Sequence, residues 1–338
     1  MCLCDDVKGM LSLYEASYLG FEGKDFLDEV KAFTTKHLKA LKGSTINSTL
    51  AKKVVHSLEV PFHWRSPKLE ARWYIDIYEG ENSMVPMLLD LAKLNYNIDQ
   101  ATYTSEIQNL ARWWIGMGMV HERQFGLARE GLTQLFALIT VIDDIYDIYG
   151  TLEELELFTN VVESFGVNPP MLSNLGVNPL ALSNPLNWLH AGYTPTLKEY
   201  LENAVVSIGG PFVLVSAYLL TAGKITKEAL DYIESMPSLI YNSSMLTRLA
   251  NDLGTSSRIG DNPKSIQCYM HEKGVSEEAA RDHINYPFLD EPFISSAPNL
   301  GRQSQCIYQY GDGHGIPDQE TKDSIKSLFI EPIPLGKI

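Results

Sequence analysis

The stretch from Leu132 to Gly150, LTQLFALITVIDDIYDIYG, constrains this chain more than any other. It is apolar nearly throughout and then sets three carboxylates, Asp143, Asp144 and Asp147, at its end. Leu, Phe, Ala and Ile over this length favour a buried helix over a strand, and Gly150 stands where a helix C-terminus prefers glycine. Leu132, Leu135, Phe136 and Ile139 mark one face, which at helical spacing continues through Asp143 and Asp147. The acids are therefore expected inside the bundle. That placement is unfavourable in three ways. Like charges at i, i+4 repel by about 0.2–0.5 kcal/mol, the carboxylates sit at the negative end of the helix dipole, and burying them unpaired costs several kcal/mol more. A hard divalent cation with oxygen ligands removes all three penalties, and Mg2+ takes one or two carboxylates together with waters and substrate phosphates.

Two other readings fit less well. A solvated acidic helix end conflicts with Ile142, Ile145 and Ile148, which leave little solvent face. A phosphatase-type D-x-D-G-T-L loop is half mimicked by Asp147 to Leu152, but Tyr149 replaces the second acid and a helix precedes it.

A net charge of −15 argues against nucleic acid and anionic membranes as partners. It also sharpens the need for cations, since an anionic ligand would be repelled from an acidic cavity. The chain of 338 residues, 45% hydrophobic, is long enough for one large domain and part of a second. Four cysteines (Cys2, Cys4, Cys268, Cys306) form no disulfide framework and indicate a reducing compartment. No apolar run is expected to reach the ~18 residues that span a bilayer. The opening MCLCDDVKGM reads as entry into the middle of a fold, not as a targeting peptide.

Helices are expected over most of the chain. Asp25 can cap a segment with Phe26, Leu27, Val30, Phe33, Leu38 and Leu41 on one side. Pro61 and Pro67 bracket a loop where a domain boundary is placed, and a helix resumes from Lys68 to Tyr78. Separate helices are expected at Met87–Leu94 and Ala101–Ile115, the second ending at Gly116-Met117-Gly118. Gly166-Val167-Asn168-Pro169 recurs as Gly176-Val177-Asn178-Pro179, and Leu172-Ser173-Asn174 as Leu182-Ser183-Asn184. Such a repeat, rich in Asn, Pro and Gly, reads as a connector. Gly209-Gly210-Pro211 should break the following helices, and Arg248, Asn251, Asp252 and Thr255 fall on one face of a later one. Taken alone, that last group reads equally as a polar helix end satisfied locally.

With these pieces in view the chain resembles the plant class I terpene synthases. The motif DDIYD at 143–147 is joined, in the family's order, by HWRSPKLEARWYIDIYE at 63–79, RWW at 112–114, RQFG at 123–126, GYTPTLKEYL at 192–201, RLANDLGTSS at 248–257, GDNPKSIQCYMHE at 260–272 and YQYGDGHG at 308–315. The resemblance implies an all-α class I terpenoid synthase bundle or barrel over residues 61–338, and a remnant of the N-terminal helical domain over residues 1–60. It implies that Asp143, Asp144 and Asp147, with Asn251 and Thr255, hold Mg2+ (Mn2+ being the substitute). Arg248 and Lys264 then contact the diphosphate of a prenyl substrate, while Tyr308 and Asp312 belong to a glycine-rich lid. Geranyl diphosphate is the preferred substrate and farnesyl diphosphate the second. The protein is expected as a monomer or weak dimer, in the plastid if a transit peptide has been lost and in the cytoplasm otherwise.

The chain also departs from the family. The helix and R-x-R pair expected between Trp114 and Gln124 are missing, the repeat around 165–188 replaces wall helices, and Ile259 stands where the third ligand of the second metal motif, a glutamate, belongs. A shortened, catalytically impaired or inactive fold is therefore the rival to an active synthase, and a prenyl-coupling enzyme a distant third.

Overall fold

The computed structural model describes residues 6–19, 25–41, 48–107, 114–144, 151, 153–155, 157, 160–161, 184–185, 188, 191–235, 238–256, 263–284, 296–312 and 317–335. Every regular element among them is helical. The helices are α1 (Val7–Ser17), α2 (Asp25–Ala40), α3 (Ser48–Glu59), α4 (Pro67–Glu79), α5 (Pro86–Ile107), α6 (Trp114–Met119), α7 (Gly126–Asp144), α8 (Leu197–Ser207), α9 (Gly210–Thr221), α10 (Lys227–Glu234), α11 (Ser238–Thr255), α12 (Ser265–Lys273), α13 (Glu277–Ile284), α14 (Ser296–Tyr308) and α15 (Gln319–Phe329).

Local chemistry explains many of these boundaries. Thr196 caps α8 in a reciprocal box with Glu199, the Thr226 side chain caps α10 and Pro67 opens α4. Gly209 sits at φ 72°, a left-handed turn that admits glycine readily, and it separates α8 from α9. Elsewhere the expected boundaries shift. No Gly or Pro lies between Leu94 and Ala101, so one helix, α5, runs through both expected segments. Gly116 and Gly118 do not stop a helix but lie within α6. A Cβ at Gly116 would meet the Arg129 carbonyl at 3.1 Å, and one at Gly118 would fall 1.8 Å from Gln303 Cδ. These glycines allow close helix approach. The 165–188 connector lies mostly outside the described residues. At its end Asn184 Nδ2 donates to Asn203 Oδ1 (2.8 Å), and Trp188 packs against Tyr200, Ala204 and Cys268.

The main core joins α6, α7, α9, α11 and α14 through Met119, Val120, Ala128, Leu132, Val213, Leu214, Ala217, Ile240 and Leu300. A second cluster (Met10, Tyr14, Leu38, Val54) ties α1 to α2 and α3. On α2 the expected apolar side is only half used: Leu38 is buried, whereas Phe26 and Phe33 are exposed. Two segments, Arg123–Asp143 and Leu197–Thr221, are long and apolar enough by composition to cross a membrane, contrary to expectation. The second is interrupted by Gly209, and core helices satisfy the same test.

Salt-bridged clusters join the first helices to the rest. Glu70 on α4 accepts from His56 Nε2 (2.8 Å) and Arg65 Nη1 (2.7 Å). Asp99 on α5 pairs with Lys68 (2.5 Å) and with Arg123. Burial by itself would raise both carboxyls, but His56 and Arg65, and Lys68 and Arg123, outweigh it and hold them below the ordinary carboxylate range. Carboxyls with depressed folded values contribute stability that is present above their unfolded value and lost as pH falls through the folded one. Urea midpoints are therefore expected to fall steeply below about pH 4; Glu70→Gln combined with Asp99→Asn should flatten that fall.

Candidate active site

The site residues gather at one end of the bundle, and the packing explains how. Gly131 of α7 lies beside Leu220 near the end of α9, while Ile139 lies beside Gly209 at its start. The two helices are thus antiparallel, and the last turn of α7, with Asp143, runs past the start of α9. Gly210 backs directly onto Ser244 of α11, where a Cβ would come within 2.9 Å of Ser244 Cα, and Ile240 packs deeper along α9. So α11 also overruns that end, carrying Arg248, Asn251 and Thr255 with it. In turn α14 lies parallel to α11, with Gly301 against Leu246 and Tyr308 against Gly254.

This geometry corrects the expected burial of Asp143. The core-facing stripe of α7 ends at Ile139, and Asp143 is exposed. The reason is that α9, the helix covering this face, begins only at Gly210. Asp144 is the last residue of α7; its side chain lies outside the described residues, as do Asp147 and Gly150. No cluster of three His, Cys, Asp or Glu side chains placed to hold a metal ion occurs among the described residues, and the oxygen donors described here are a mixed set.

That set is well defined on α11. The Thr255 hydroxyl donates to the Asn251 carbonyl (2.7 Å), which turns its lone pairs away from the helix. There it accepts from Lys264 Nζ at 2.8 Å, while Asn251 Oδ1 accepts from Arg248 Nη2 at 3.1 Å. An amide oxygen and a hydroxyl one turn apart, each facing a cation and with an exposed carboxylate at the same bundle end, suit a hard divalent ion with oxygen preference. Four residues beyond Thr255, Ile259 lies outside the described residues, and its side chain carries no donor.

Sequence reasoning gave Asp252 no role, yet it is the most buried group of the site, with 0% exposure. Its carboxylate accepts from the Tyr200 hydroxyl (3.0 and 2.9 Å) and the Ser265 amide (3.2 Å), and pairs with Arg248 Nε (3.1 Å). Burial, foremost, keeps the Tyr200 phenol well above its ordinary value, so it remains a donor. A capped GYTPT turn followed by an inward tyrosine was the available signal.

The lid residues are partly placed. Tyr308 ends α14 and Asp312 follows it, whereas residues 313–316 lie outside the described residues. A Cβ on Gly254 would meet the Gly311 carbonyl and Tyr308 Cβ, each at 2.9 Å. Gly254→Ala is expected to cost about 1–3 kcal/mol by overpacking, read from urea unfolding; an unchanged midpoint would show that the segment simply moves away.

A helical bundle with oxygen donors and cations gathered at one end fits an all-α metal-binding enzyme. Residues 106–174 and 181–290 match the metal binding domain of the terpene synthase family, and residues 1–58 match the terpene synthase N-terminal domain. The chain is 42% identical to a chloroplastic myrcene synthase of Quercus ilex over 413 residues, covering 99% of this chain and 69% of that protein. It is 41% identical to a (-)-alpha-terpineol synthase of Vitis vinifera, covering 98% and 69%. Isoprene synthase from grey poplar, in complex with three Mg2+ ions and dimethylallyl-S-thiolodiphosphate, shares the fold with a TM-score of 0.86 at 33% identity, covering 99% of this chain and 78% of that one. Limonene synthase with 2-fluorolinalyl diphosphate gives 0.85 at 31% identity, covering 98% and 76%. The chain belongs to the terpene synthase family, and its fold is that of the class I members. The 413-residue alignment exceeds the 338 residues of this chain, so the relative carries internal residues with no counterpart here.

Proposed function

We propose that this protein ionises an allylic prenyl diphosphate, geranyl diphosphate by preference, and releases diphosphate and a monoterpene. What supports the reading is that Asp143 on the last turn of α7, and the Asn251–Thr255 pair of α11 with its two flanking cations, both lie past the start of α9. Asp143, Asp144 and Asp147 on one side and Asn251 and Thr255 on the other would hold Mg2+. Bound there, Mg2+ supplies the positive charge that stabilises the departing diphosphate. Arg248 and Lys264 bind the same oxygens as fixed cations, a guanidinium fork and a point charge. Tyr308 and Asp312 cover the site, and excluding water protects a carbocation from quenching. Residues 1–60 form the N-terminal helical unit and 61–338 the catalytic one. The relatives support the substrate class: limonene synthase was solved with an analogue of linalyl diphosphate, and isoprene synthase with an analogue of dimethylallyl diphosphate.

Incubating the purified protein with Mg2+ and geranyl diphosphate tests the reading. Pyrophosphate and a volatile product support it; no release at high enzyme concentration favours the second reading, a fold without turnover. Two observations favour that second reading. Ile259 supplies no third ligand, and α7 and α5 leave the large apolar side chains Leu138, Val141, Met87 and Leu91 exposed. If turnover occurs, its Mg2+ midpoint is expected to lie higher than in the chloroplastic myrcene synthase relative, by about tenfold for one lost ligand. Equal midpoints would show that another oxygen has replaced the missing glutamate.

A further inference from the structure

The site contains a buried acid with no exposure to solvent. Asp252 shares the α11 face of Arg248, Asn251 and Thr255 but is sealed beneath α8 and α12, and it is reached from three elements at once. Tyr200 comes from α8, Arg248 from one turn back on α11, and the Ser265 amide from the first residue of α12. With Tyr200 donating to both its oxygens, the carboxylate is fixed in rotation. Its remaining contacts then fix two other things: the Nε edge of Arg248, and the start of α12, immediately after Lys264.

We propose that Asp252 is a positioning residue that aims the two diphosphate-binding cations, holding Arg248 by the charge of an ion pair (Nε to Oδ1, 3.1 Å) and Lys264 through the Ser265 amide. An arginine has five donors on a rigid plane. With the carboxylate beside Nε, the Nη edge points along the helix toward Asn251, where Nη2 is found 3.1 Å from Oδ1. Similarly, anchoring Ser265 sets where the α12 backbone leaves residue 264, and the Lys264 ammonium then reaches Thr255 Oγ1 at 2.8 Å. One carboxylate thereby places a cation against each of the two α11 oxygens assigned to metal. A buried acid also lowers the cost of holding a guanidinium beside a metal-binding site, since an unpaired buried charge is strongly unfavourable. Tyr200 is part of the device: its single hydroxyl proton, shared between both oxygens, supplies a hydrogen bond that an isolated buried carboxylate would lack.

The inference rests on the reading that Arg248 and Lys264 bind diphosphate. Its test is Mg2+-dependent binding of inorganic pyrophosphate, measured by calorimetry on the full chain, with circular dichroism reporting the fold. Asp252→Asn is expected to weaken binding by about tenfold, because misaiming a binding group by about an ångström has large effects. In an Arg248→Gln background the same change should add no more than about twofold, since neighbours acting through one another are not additive. A purely structural role would give equal losses in both backgrounds, and that result overturns the proposal. So does an Asp252→Asn protein that binds within about twofold of the unaltered chain. If Asp252→Asn does not fold, Tyr200→Phe replaces it: it keeps the ion pair, removes the rotational lock, and should show a smaller loss with the same dependence on Arg248. Absence of pyrophosphate binding by the unaltered chain would overturn the diphosphate reading itself and this proposal with it, whereas binding that ignores Asp252 overturns the proposal alone.

Discussion

Asp143→Ala is expected to all but abolish diphosphate release from geranyl diphosphate, a loss of about 10²–10³-fold, without lowering the unfolding midpoint. Both halves follow from where the residue sits. Asp143 is exposed on the last turn of α7, past the point where α9 covers that helix, so its carboxylate adds little to the core and its removal leaves no cavity. If it holds Mg2+, removing it strips charge stabilisation from the transition state, and single preorganised electrostatic groups are each worth about 10²–10³ in rate. Asp143→Asn should recover a small part, since an amide oxygen still ligates but without charge. Single-turnover release of labelled pyrophosphate measures the first claim and urea unfolding the second. Turnover surviving at a comparable rate would refute the metal assignment; a large drop in stability would mean that Asp143 is structural instead.

The opposite pattern is expected of Arg129→Met. Arg129 is 0% exposed on the first turns of α7. Nη1 donates to the carbonyls of Val120 (3.2 Å) and Glu122 (2.6 Å), Nη2 donates to that of Arg123 (3.4 Å), and the guanidinium lies 5.3 Å from the Tyr103 ring centre. One side chain thus satisfies the backbone linking α6 to α7 at the bundle end opposite the site. Methionine fills similar space but offers no donor, and carbonyls left buried and unpaired cost about 1–3 kcal/mol each. A loss of about 3–5 kcal/mol, as for other broken buried charge networks, is a large fraction of the roughly 5–15 kcal/mol that stabilises a folded domain. Chemical denaturation with matched m-values would measure it. A loss under about 1 kcal/mol would mean that the 120–123 segment finds water or other donors when Arg129 is gone.

The two variants separate what could be read from the residues from what could not. Asp143 stood out as a carboxylate ending a long apolar run, whereas Asn251 and Thr255 were singled out only by the family resemblance, their spacing alone reading equally as a polar helix end. Arg129 was not legible: in GLAREGL it reads as an ordinary polar surface position. Only the approach of α6, made possible where Gly116 lies against the Arg129 carbonyl, closes the space over it. Asp252 was hidden for a related reason. It shares a helical face with three residues that point to the mouth, and its inward partners, Tyr200 and Ser265, are 52 and 13 residues away along the chain.

The sequence alone determined that the chain is helical, where its capped helices begin, the family it belongs to and the residue types offered to a metal and an anion. These depend on short-range spacing and backbone preference, which a local window contains. The tertiary structure alone decided that Asp143 is open to solvent while Asp252 is sealed, that two glycines serve contact and not termination, and that α7 and α11 both run past the start of α9. Those outcomes depend on where one helix stops covering another, and burial is a property of the neighbour as much as of the residue.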